Sequence, residues 1–260
     1  SIMKTRKSEF DVLVCEIQKH LRFLAAAGSR GLDLTEKSLD IIRSWERRDR
    51  SAGPAPPASK PMGNDLSAVF EGFSTCNRCR LAENRKGSVF GEGPQQARVM
   101  FIGFMPEAGD EETGRPYTGN AGEMLTRIIE AMKLDRNRVF ISHVVKCLPV
   151  DDRLPGRWEA KACRHHLVRQ IQAVRPELIC VLGESAARTF LGVDEPFSRV
   201  RGRFHAHEGI PVMPTYEPAH LLTHPSAKRH VWQDMQAVMK ALDNLLKDDS
   251  LVKSRDQATL

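Results

Sequence analysis

Cys76-Asn-Arg-Cys79 sets two thiols close together, and Cys147 and Cys163 follow far along the chain. One close pair plus two distant thiols is a spacing with which a folded chain brings four thiolates onto one metal centre. Spacing alone leaves zinc and an iron–sulfur cluster both open, and four unrelated buried thiols are the plain alternative. Cys15 and Cys180 fall on apolar faces and read as core residues. A second stretch runs from Gly103 through Glu107, Asp110, Glu111, Gly114, Tyr117 and Gly119 to Gly122, glycine-rich and acidic, and leads into a helix starting near Ala121. Its glycines let backbone amides approach a ligand, and a helix N-terminus favours an anion or a carbonyl oxygen. Tyr117 offers a face on which a planar base stacks. Asp110, Glu111 and Glu107 are the candidates to position an attacking water, against the alternative of a plain solvated loop.

Elements that alternate along the chain must position these residues. Short apolar runs occur at Val99–Ile102, Val139–Ile141 leading to Val144 and Val145, Leu178–Leu182, and Pro211–Thr215. Helical patterns separate and follow them at Ala121–Met132, Trp158–Val174, Ser185–Leu191 and Lys228–Leu246. Buried strands alternating with helices predict an α/β fold, three-layer α/β/α around a central parallel sheet. The loops beyond Gly103, Val145, Gly183 and Thr215, at the carboxyl ends of the strands, are where ligands bind in such sheets.

Upstream, Phe10, Leu13, Ile17, Leu21 and Leu24, then Leu39, Ile42 and Trp45, recur at helical spacing. They predict an N-terminal helical pair over residues 1–47, either a packing appendage or the docking site of a protein partner. Residues 48–69 read as a Pro/Ala-rich linker, 70–247 as the main domain and 248–260 as a flexible polar tail. A net charge of +6 over 260 residues suits a polyanionic partner such as nucleic acid. The low aromatic content, 6%, argues against a long stacking groove. No apolar run approaches the roughly 20 residues that span a bilayer, and six cysteines in so long a chain do not suggest a secreted disulfide scaffold. The expectation is a cytoplasmic monomer with no membrane contact, nucleoid-associated if bacterial.

The stretch from Thr113 to Gly122 (TGRPYTGNAG) resembles the first motif of family 4 uracil-DNA glycosylases, GRPFVGxAG. Val144-Val-Lys-Cys147 resembles that family's VVKC segment, and Pro214-Thr-Tyr-Glu-Pro-Ala-His-Leu-Leu222 its PTYHPAxLL motif. Val181–Arg188 and Arg201-Gly202 fit the block between. The resemblance spans roughly residues 70–242. It implies an enzyme that flips a damaged or modified base, uracil by default, out of DNA and hydrolyses its N-glycosidic bond. It also implies that Cys76, Cys79, Cys147 and Cys163 ligate a 4Fe-4S cluster that staples the fold. By the same analogy Tyr117 stacks on the base, Gly103 and Phe104 border it, and Leu221 and Leu222 wedge into the duplex. Ala219, Lys228 and Arg229 then flank the wedge on the DNA side.

Four departures fall where the family contacts the base. Phe104 replaces a glutamate, His143 replaces the uracil-reading asparagine, Glu217 replaces the histidine that supports charge on the uracil carbonyl, and Tyr117 replaces phenylalanine. His143 and Glu217 are both ionisable, which favours a rebuilt pocket over decay. If they pair, the carboxylate pKa falls and the imidazole pKa rises. An imidazolium at 143 then steadies the departing base and a carboxylate at 217 the cationic sugar, shifting base preference away from plain uracil. The other readings are a catalytically silent DNA-binding protein and a recruitment protein acting through its N-terminal helices.

Overall fold

The computed structural model describes residues 65–150 and 153–257, with side chains to residue 245. They lie in the second of two units into which the chain divides, Met62–Leu260. The N-terminal helical pair falls outside the described residues, as do all but the last few positions of the linker.

In chain order the elements are α1 (Leu66–Ser74), α2 (Leu81–Asn84), β1 (Val99–Gly103), α3 (Ala108–Thr113), α4 (Gly119–Ala131), β2 (Phe140–His143), α5 (Arg157–Val174) and β3 (Leu178–Leu182). There follow α6 (Glu184–Leu191), α7 (Phe197–Val200), β4 (His205–His207), β5 (Ile210–Thr215), α8 (Pro218–Thr223) and α9 (Lys228–Gln257). The sheet order is β2-β1-β3-β5-β4. The first three pairings are parallel and β4 runs antiparallel to β5.

The strands form because both their faces are apolar and both are covered. Met100, Ile102, Ile179 and Val181 point into one core with Phe73, Leu167, Ile171 and Phe190, from α1, α5 and α6. Val99, Phe101, Leu178, Cys180 and Leu182 point into the other with Leu125, Ile129, Val231 and Met235, from α4 and α9. The expected three layers are therefore present, with Cys180 in the core as its pattern implies.

Three local differences from the sequence reading have physical causes. Helix α1 begins inside the stretch read as linker, because Val69 and Phe73, one turn apart, bury against α5 while Asp65 caps the helix by accepting from Ser67 N at 3.2 Å. The short antiparallel strand β4 was not expected. It returns through Glu208 and Gly209, both at positive φ, a two-residue reversal suited to a hairpin. Helix α9 continues to Gln257, into the segment read as a tail. Among the described residues no helix is long and apolar enough to cross a membrane.

Candidate active site and thiol centre

Strands β1, β2, β3 and β5 end on the same edge of the sheet, and the motif residues meet there. Gly103 closes β1 and pairs with His143 at the end of β2. Tyr117 lies over both. Its ring stacks on the His143 imidazole, with centroids 5.0 Å apart and planes 20° apart. A methyl group on Gly103 would collide with the Tyr117 hydroxyl, so only glycine lets the ring settle on the strand end. The hydroxyl donates to Glu217 Oε1 at 2.6 Å. Glu217 stands at the N-cap of α8, just past β5, and the β5 end is fixed from behind by Asp234, which accepts from Thr215 Oγ1 and from Arg201 at 2.7 Å each.

Tyr117 adopts a left-handed backbone conformation, φ 55°, which a bulky residue takes at a cost of about 1–3 kcal/mol. The surroundings hold it there. Arg136 donates to the carbonyls of Pro116 (2.9 Å) and Tyr117 (3.4 Å) while gripping Glu92 at 2.8 Å. Asp110 Oδ1 accepts from the backbone N–H and the hydroxyl of Thr118, both at 2.7 Å. Gly122, in the first turn of α4, packs so closely on the Tyr117 carbonyl that any side chain would strike it.

The electrostatics correct the expected charge pattern. His143 and Glu217 do not pair, because the Tyr117 hydroxyl takes the carboxylate. Burial, with Lys146 nearby, pushes the His143 imidazole down to about 3, so it is neutral. Its Nε2 faces Asp110 Oδ2 at 3.9 Å, and its buried Nδ1 has no hydrogen-bond partner among the described residues. Burial pushes the Glu217 carboxyl up to about 7 against the lowering effect of the Tyr117 bond, with Glu107 raising it further. Burial and the neighbouring Glu217 hold the Tyr117 phenol well above its ordinary range, so it remains the donor. Burial and Asp110 raise the Glu107 carboxyl as well.

Not every candidate joins this constellation. Asp110 is buried beside His143, with its carboxylate accepting from Thr118 and from Glu107 N at 3.2 Å. Glu111 turns away, accepting from Lys86 N (3.1 Å) and Gly87 N (3.4 Å). Phe104 points to the opposite face of the sheet and packs on the core there. The two wedge candidates separate: Leu221 is 1% exposed and belongs to the core, whereas Leu222 is 45% exposed. Ala219 is partly buried against the same core, and Lys228 and Arg229 are exposed at the start of α9. The supporting pair of Glu92 and Arg136 was missed by sequence reasoning, since nothing in their spacing links them to Tyr117.

The four cysteines lie on the other side of β2. Cys76 and Cys79 are half-buried, Cys147 and Cys163 buried, and all are free thiols. Cys147 is within electrostatic range of Cys79 and Cys76, and Cys163 of Cys147 and Cys79. Arg85 ties the group, donating to Cys147 Sγ at 3.3 Å and to Cys76 O at 2.9 Å. Burial pushes the Cys163 thiol up to about 11, with Lys146 opposing, so its thiolate calls for further positive charge. Among the described residues no three or more His, Cys, Asp or Glu side chains gather closely enough for a single metal ion. Four thiols beside the Arg85 and Lys146 side chains are nonetheless a donor set that fits a metal centre. The Lys146 ammonium is itself buried, donating to Ser142 Oγ (2.6 Å), His143 O (2.7 Å) and Gln170 Oε1 (2.6 Å).

Comparisons with known proteins agree with this architecture. The family model described as "Uracil DNA glycosylase superfamily" matches residues 90–236. A Type-4 uracil-DNA glycosylase of Saccharolobus solfataricus is 36% identical over 205 residues, covering 75% of this chain and 95% of that protein. A Type-4 uracil-DNA glycosylase of Sulfurisphaera tokodaii is 35% identical over 184 residues, covering 67% and 84%. One of Thermotoga maritima is 35% identical over 175 residues, covering 66% and 91%. Fold, strand-end site and similarity over most of the relatives' length lead to one conclusion: the chain belongs to the uracil DNA glycosylase superfamily.

Proposed function

We propose that this protein is a DNA glycosylase that draws a base, uracil by default, out of the helix and hydrolyses its N-glycosidic bond. The observation that carries the reading is the meeting of Gly103, Tyr117, His143 and Glu217 over the strand ends, where the matched motifs read a base. The chemistry differs from the inverted charge pattern that the sequence suggests. His143 is neutral. With its N–H on Nε2, towards Asp110, Nδ1 is a buried acceptor suited to a base N–H such as uracil N3–H. Glu217 keeps its proton up to about pH 7 and, as an acid, donates to a base carbonyl on which charge develops. Breaking the C1′–N bond leaves its electron pair on the base, and water adds to C1′ and yields its proton. Glu107, exposed at the start of α3 and near enough to raise the Glu217 carboxyl, is the residue we assign to orient that water.

A 4Fe-4S cluster on Cys76, Cys79, Cys147 and Cys163 completes the reading. Its contribution is structural, tying the loop before β1 to the end of β2 and to α5. The test is turnover on single-stranded and duplex oligonucleotides carrying uracil, hypoxanthine, xanthine or a modified cytosine. Excision of uracil is expected. Binding to these oligonucleotides without excision of any base would refute the enzyme and leave a silent DNA-binding protein.

A further inference from the structure

Outside the base site, the same edge of the domain carries a second groove of about 390 Å³ on the opposite face of the sheet. Its lining includes Phe104, Arg157, Lys161, Arg164 and Arg188, with Asp194 as the only carboxylate among the described lining residues. Arg157, Lys161 and Arg164 recur at i, i+4 and i+7 on the outer face of α5, whose inner face buries Ala160, Cys163, Leu167 and Ile171. Trp158 stands beside them, 78% exposed, with the Lys161 ammonium 5.3 Å from its ring centre. An indole so exposed buries little of its surface in the fold, and with Leu154 also exposed it gives the rim an apolar edge.

We infer that this groove binds an unpaired stretch of the DNA strand, its phosphates on Arg157, Lys161 and Arg164 of α5 and a base stacked on Trp158. Cations interleaved with aromatic faces are the chemistry that holds single strands, and stacking requires bases already released from a duplex. Position supports DNA over other polyanions. Gly103 floors the base site and Phe104, the next residue, lines the groove, so both sites open at the carboxyl end of β1, on opposite faces of the sheet. A strand that leaves its extruded nucleotide over Gly103 reaches the cations of α5 by rounding the end of β1. The inference rests on the glycosylase reading for its choice of polymer.

The test measures binding of the full chain to a labelled single strand and to a duplex of the same sequence across a salt series. The variants are Trp158→Ala and Lys161→Ala with Arg164→Ala, with Lys133→Ala plus Lys240→Ala as an equal change of charge on other exposed residues. Trp158→Ala is expected to weaken single-strand binding by between about fivefold and a hundredfold. The double groove variant is expected to make the slope of log affinity against log salt shallower by about 1.4, two phosphate contacts at about 0.7 each. Duplex binding falls less. Equal losses from groove and control variants, or a duplex loss as large as the single-strand loss, would overturn the inference. Excision measured alongside separates the two claims: lost strand binding in the groove variants stands even if no base is excised, and unchanged strand binding fails even if uracil is.

Discussion

Replacing Tyr117 with phenylalanine keeps the aromatic face and deletes only the hydroxyl that donates to Glu217 at 2.6 Å. That bond favours the carboxylate and so opposes the burial that lifts Glu217 to about 7. A hydrogen bond to a charged group contributes about 1.5–3 kcal/mol, and one pKa unit corresponds to about 1.4 kcal/mol. The variant's Glu217 is therefore expected to titrate about one to two units higher. If the protonated carboxyl is the form that donates to the departing base, the excision rate falls as pH rises through this pKa. The falling limb lies near 7 in the native protein and near 8 to 9 in Tyr117→Phe. Single-turnover excision of uracil with protein well below saturation, followed from about pH 5 to about pH 10, reads the limb of the free protein, in which the Tyr117 bond is intact. Glu217→Gln keeps a donor that cannot titrate, so its profile loses this limb. A limb that stays in place in Tyr117→Phe, or that survives in Glu217→Gln, would show that the titrating group lies elsewhere.

Iron and acid-labile sulfide are expected in a ratio fitting one 4Fe-4S cluster in anaerobically prepared protein, and stoichiometric zinc without sulfide would refute the cluster. Leu222→Ala is expected to slow excision from duplex DNA with stability unchanged, while Leu221→Ala costs about 2–5 kcal/mol in denaturant unfolding, because only the second is buried. His143 links stability to pH: its imidazole titrates near 6.5 unfolded and near 3 folded, so between those values the unfolded chain binds the extra proton. Stability due to this residue is full above 6.5 and is lost as pH falls towards 3, at most about 4–5 kcal/mol. His143→Asn should flatten that acid dependence of the urea midpoint, and an unchanged dependence would refute it.

The layered fold was legible because a strand buried on both faces is written as an uninterrupted apolar run, as Val99–Ile102 and Leu178–Leu182 are. Strand β4 carries no such run. His205, Ala206 and His207 lie at the sheet edge, and the signal that could have revealed them is the Glu208-Gly209 reversal before Ile210. Motif spacing placed Tyr117, His143 and Glu217 at one sheet edge but could not say which side chain takes which partner. That choice depends on the left-handed backbone of Tyr117, which aims its hydroxyl at Glu217 and denies the carboxylate to His143. Leu221 and Leu222 were indistinguishable for a similar reason: adjacent residues in a short helix point in different directions, and the helix phase is set by Pro218 and Leu221 packing inwards.

The frame around Tyr117 also bears on how fast the base site opens. Its carbonyl is clamped by Arg136 and seated against Gly122, and the next residue is bonded twice to Asp110. No loop needs to lift for the ring to leave the strand ends. Clearance is a rotation about side-chain bonds, opposed chiefly by one short hydrogen bond and the stacking on His143. The ring is 7% exposed, so this rotation is slower than the picosecond-to-nanosecond flips of exposed side chains. A base reaches the strand ends only after that bond and that stack have been given up, with the backbone around them left in place.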